Sequence, residues 1–187
     1  MGSLQAARKL GIGERQAAGI MAAFMHSFPG VSAFMERTRR QARETGMART
    51  ITGRIRHLPE INSLDQSLRA QAERQAVNSV IQGTAADVIK LAMHATNRRL
   101  LAWQQERQRR GAAGGAVPRM LLQIHDELIF EVPGSEQDIL RLRELLRECM
   151  EADVVRELGL RVPMRIKMSV GMSWGQMRVV LNRTTDR

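Results

Sequence analysis

The chain has 187 residues, 43% of them hydrophobic but only 3% aromatic and none tyrosine, so one domain-sized core is within reach and aliphatic residues, alanine and methionine must fill it. A formal charge of +10, from 29 basic and 19 acidic residues, points to a polyanionic partner through phosphate contacts, although the arginine bias is also what a GC-rich genome produces. The single cysteine, Cys149, excludes an internal disulfide framework, no His and Cys cluster has zinc-site spacing, and no apolar run approaches the ~18 residues that span a bilayer; a soluble protein of a reducing compartment with no membrane partner is expected.

In chain order, residues 1–35 hold one acid, Glu14, beside Arg8, Lys9 and Arg15, a composition shared with transit peptides. Helical spacing over residues 14–27 and 31–45, punctuated by Pro29-Gly30, predicts a helical hairpin. Residues 50–64, TITGRIRHLPEINSL, lose that period, and Gly53 and Pro59 predict an ordered loop or short hairpin. Helical spacing returns near Leu68 and holds toward Gln105. Residues 107–119, RQRRGAAGGAVPR, have the composition of a flexible linker. Next come a hairpin in LLQIHDELIFEV, residues 121–132, an amphipathic helix over 135–158, a last strand in RIKMSVGMSW, residues 165–174, and a polar tail. No internal repeat is present, and the fold class is α+β.

Two stretches carry chemistry. In LLQIHDELIFEV, two apolar β-prone runs flank His125, Asp126 and Glu127 at the bend. A solvated hairpin tip is the plain reading, but tight tips favour glycine because primed turns need positive φ, and this trio has none. In ERQAVNSVIQGTAADVIKLAM, residues 73–93, Arg74, Asn78 and Gln82 stand at i, i+4 and i+8, one face of a continuous helix. Arg offers a fork of donors while Asn and Gln donate and accept, which suits base edges and sugars in a groove. A merely solvated polar face has the same pattern. Gly83 within the helix costs about 1 kcal/mol relative to Ala, which a close backbone approach would explain.

The runs TGRIRHLPEI, AERQAVNSVIQGTAADVIKLAM and LLQIHDELIFEV, in that order, resemble the C-terminal palm and adjoining fingers of family A DNA polymerases, from SFPGVSAFME (residues 27–36) to VGMSWG (residues 170–175). The final WG and the long linker before the hairpin look more like the theta and nu repair branch than the bacterial enzymes. The resemblance implies an α+β fold in which residues 1–66 form a helical fingers remnant with a loop, and residues 67–187 form a palm whose small antiparallel sheet carries the His-Asp-Glu hairpin. It also makes the first residues internal domain sequence rather than a transit peptide.

The implied activity is DNA-directed DNA synthesis for replication or repair, in which a primer 3′-hydroxyl attacks an α-phosphate with two Mg²⁺ ions as cofactors. By the match, Asp126 is a catalytic metal ligand, Glu127 a secondary catalytic carboxylate, His125 a contact to the primer end, and Arg74, Asn78 and Gln82 contacts to the template–primer minor groove. The implied partners are template–primer DNA, deoxynucleoside triphosphates and an upstream portion of the polymerase domain. That portion would bring the first catalytic Asp motif and the nucleotide-binding finger helix, neither of which this sequence contains. The chain is accordingly expected to be a partial domain, inactive by itself. The alternative is a non-catalytic DNA-binding module. The compartment would be nuclear for a theta- or nu-like protein and cytoplasmic or mitochondrial otherwise.

Overall fold

The computed structural model describes residues 3–111 and 117–182. Its elements are mixed, long helices with short antiparallel strand pairs, so the α+β class holds. The chain divides into two compact units, Met1–Gln82 and Gly83–Arg187. The division falls inside helix α4, not at its start as the expected 66/67 boundary had it.

The first unit opens with helices α1 (Ser3–Leu10) and α2 (Glu14–Ser27), joined through Gly11 at φ +67. Ala6, Ala7 and Ala17 make a small core between them, with Ile12 and Met21 against it. Helix α3 (Pro29–Thr45) follows after the single residue Phe28 and is bent 94° from α2. The expected hairpin is therefore a corner, since an antiparallel helix pair needs a loop of about 2–5 residues to reverse the chain. Pro29 is in the first turn of α3, where its missing N–H costs nothing. The helix stops at Gly46, which is left-handed at φ 71 and donates its N–H to the Ala42 carbonyl at 2.8 Å.

Strands β1 (Met47–Arg49) and β2 (Ile55–His57) form the short hairpin expected in this region, with a turn at Gly53. Ala42, Ala48, Leu58 and Ile61 then pack on Ala72 and Ala76 of α4 (Gln66–Arg109). No single helix is long and apolar enough to cross a membrane.

In the second unit Leu100 and Trp103 of α4 are buried with Leu142 and Leu146 of α5 (Glu136–Arg147) and Met168 of β5 (Lys167–Val170). Ser135 caps α5, its hydroxyl accepting from the Asp138 N–H at 3.1 Å. The helix expected over 135–158 does run that far, but Glu148–Asp153 winds as a π-helical segment before α6 (Val154–Leu158). The linker expected over 107–119 begins inside α4, where Arg107 pairs with Asp138 at 3.1 Å. Residues 112–116 lie outside the described residues.

Strands β3 (Arg119–Ile124) and β4 (Glu127–Glu131) form the expected hairpin. The residues placed in a polar tail include β6 (Arg178–Asn182), which pairs with β5. The strand expected to reach Trp174 ends at Val170 because the chain turns at Gly171, where a Cβ would stand 2.4 Å from the Gln176 carbonyl oxygen. Among the described residues the strands form three two-stranded sheets, where one sheet was expected.

Candidate active site and nucleic-acid face

The β3–β4 hairpin is fixed at its root and open at its tip. Met120 pairs with Phe130, and both pack on the Leu100–Trp103 core. The register shifts between Met120 and Leu122, a bulge of the kind that re-aims strands beside functional sites. At the other end Ile124 pairs with Glu127, so His125 and Asp126 alone make the turn.

His125 has φ 54 and is the one non-glycine residue with positive φ among the described residues. The turn therefore takes its left-handed residue without a glycine. That conformation costs a non-glycine residue roughly 1–2 kcal/mol, and retained strain of this sort concentrates at functional sites. The side-chain amide of Gln123 donates to the His125 carbonyl and helps to hold the bend.

His125, Asp126 and Glu127 are all exposed. Neither carboxylate accepts a hydrogen bond or ion pair from the described residues, so both keep their lone pairs for an outside ligand. Their oxygens suit Mg²⁺, which takes one or two carboxylates and completes its shell with water and phosphate oxygens. Among the described residues no three His, Cys, Asp or Glu gather, so the pair fits a partial ligand set. Glu131 cannot complete it. It stands four strand residues beyond Glu127, roughly 13 Å away, and is bound to Arg119 at 2.6 Å.

In the first unit, Arg74, Asn78 and Gln82 fall within continuous α4 and all three are exposed, as one helical face requires. None is hydrogen-bonded or ion-paired within the described residues. Arg74 and Asn78 also line a groove of about 520 Å³ with residues of α2 and α3, among them Met21, Met25, Met35 and Arg39. Sequence reasoning passed over this groove. Its visible sign was the i, i+4 pair Met21 and Met25, which reads equally as core.

A family model described as DNA polymerase family A matches residues 1–176. The chain belongs to that family. DNA polymerase I of Bacillus caldotenax is 40% identical over 168 residues, which cover 90% of this chain and 17% of that protein. DNA polymerase theta of Drosophila melanogaster is 36% identical over 182 residues, 96% of this chain and 8% of the relative. A solved POL domain of Pol1 from M. smegmatis, in complex with DNA primer-template and dNTP, superimposes with a TM-score of 0.71 at 36% identity, covering 88% of this chain and 26% of that one. The chain thus spans about a sixth of the bacterial relative's length. A theta relative is among the matches, but the bacterial ones are as similar or more so, and the WG ending does not separate the branches.

Proposed function

We propose that this chain forms the part of a DNA-directed DNA polymerase domain that places a primer end beside two carboxylates. The carrying observation is the hairpin tip, where His125, Asp126 and Glu127 lie within the matched residues and the turn is held at a strained left-handed position. Residues 1–66 serve as fingers and residues 67–187 as palm. The partners are template–primer DNA, a deoxynucleoside triphosphate and the polymerase residues upstream of the matched region. The solved neighbour's bound primer-template and dNTP support the first two.

In this reading Asp126 is the inner-sphere ligand for Mg²⁺, and Glu127 adds negative charge and orients water at the same place. The ions, when bound, offset charge on the attacking and leaving oxygens of the transfer. His125 contacts the primer end and holds the 3′-hydroxyl in line with the α-phosphate. Arg74, Asn78 and Gln82 hold the minor-groove edges of the newest base pairs, where donors and acceptors are similarly placed for all pairs, so they sense geometry more than sequence.

The alternative, a DNA-binding module without synthesis, draws on the absence of a third grouped carboxylate among the described residues. The deciding experiment replaces the corresponding segment of a bacterial DNA polymerase I by this chain and measures primer extension with Mg²⁺. Template-directed extension is expected, lost in the Asp126→Ala chimera while primer-template affinity is kept. A folded chimera that binds primer-template but never extends it leaves the binding module as the answer.

A further inference from the structure

We propose that the groove formed by α2, α3 and α4 in the first unit receives an unpaired nucleobase of the bound DNA strand; this rests on the DNA-binding reading above and adds a second contact to it. The floor is built for an aromatic ring. Met21 and Met25 from α2 and Met35 from α3 are half-buried along it, and thioethers are polarisable, adaptable and favourable against ring edges and faces. The rim is built for a nucleotide's polar parts. Asn78 offers an amide that donates and accepts, and Arg74 and Arg39 offer guanidinium planes for stacking or phosphate. A volume of about 520 Å³ falls inside the ~300–1,000 Å³ common for small-ligand sites.

The polar groups separate a base from an aliphatic anchor. The Arg39 Nε–H is buried without an acceptor among the described residues. Its nearest carboxylate oxygen, on Glu73, is 3.9 Å away, beyond hydrogen-bond reach, and Glu73 also takes Arg43. An aliphatic side chain in the groove would leave that donor and the Asn78 amide without partners. A heteroaromatic ring with acceptor nitrogens and oxygens supplies them. Two arginines against Glu36 favour an anionic strand.

The test uses the 187-residue chain with its methionine methyls labelled with ¹³C. Met21, Met25 and Met35 are assigned by Met→Leu variants among the 12 methionines. Two primer–templates are added, one with a four-base template overhang and one whose overhang is abasic, and anisotropy follows binding of each. The inference expects both to bind and the normal overhang to bind about fivefold or more tightly, in line with base stacking. Only the normal overhang should move the three methyl resonances upfield by ring current. Ser32→Phe, which fills the groove, should erase the difference between overhangs and keep duplex binding, with its fold checked by thermal midpoint. Binding of both DNAs with unmoved or identically moved methyls overturns the groove assignment and leaves DNA binding standing. Failure to bind either DNA overturns both.

Discussion

Ile124 and Glu127 face each other across the β3–β4 ladder, which leaves only His125 and Asp126 to reverse the chain. The catalytic-motif residues are thus the turn itself. A two-residue tip puts Asp126 at the outermost point of a hairpin whose root is clamped by Met120 and Phe130. It also forces His125 into the left-handed region at φ 54, where a glycine would rest without strain. His125→Gly should therefore stabilise the chain by roughly 1 kcal/mol in urea unfolding, while slowing extension in the polymerase chimera. A loss of stability on this substitution would show that the imidazole holds the turn.

The isolated chain should bind primer-template DNA and not extend it. Asp126 and Glu127 are two carboxylates where a two-ion reaction needs further anchoring, and no third acid joins them among the described residues. Binding needs no such geometry. The +10 charge should make affinity fall at least about tenfold between 50 and 200 mM salt through counterion release. Extension by the isolated chain that Asp126→Ala abolishes would mean that the missing ligand lies within these 187 residues.

Arg74→Ala and Gln82→Ala, made in the chimera, should slow extension far more than they weaken binding, because phosphate contacts supply most of the affinity. Their effect should also depend on the primer terminus, with the discrimination between matched and mismatched ends reduced. Equal rates for wild type and variants on both termini would return the row to a plain solvated face.

Cys149 reports on the folding of the second unit. It is fully buried, and burial pushes its thiol above the usual range although the Arg99 guanidinium pulls the other way. Since the thiolate is the nucleophile, iodoacetamide should label the native chain orders of magnitude more slowly than the urea-unfolded chain. The sign of the linkage follows. The unfolded thiol ionises first, so this group's contribution to stability is intact below about pH 8.5 and is lost as pH rises beyond it. Rapid stoichiometric labelling of the folded protein would contradict the packing around the π-helical segment.

The sequence by itself determined the helices, the hairpin and the motif residues, because these depend on local period and order. Arg74, Asn78 and Gln82 share a face as soon as α4 is continuous, and Asp126 lies at a bend as soon as residues 121–132 read as two strands. It could not determine what depends on space between elements. One connecting residue, Phe28, turned an expected antiparallel pair into a 94° corner, and a close backbone approach at Gly171 ended β5 early. Strand β6 was missed because RVVLN has too few residues to carry a period and is a strand only by pairing with β5. The unit boundary fell inside α4 because Ala72 and Ala76 belong to one core while Leu100 and Trp103 belong to another. The strain at His125 and the methionine-lined groove likewise exist only once the chain has folded, since a backbone angle is imposed by the ladder that closes it and a groove by helices distant in sequence.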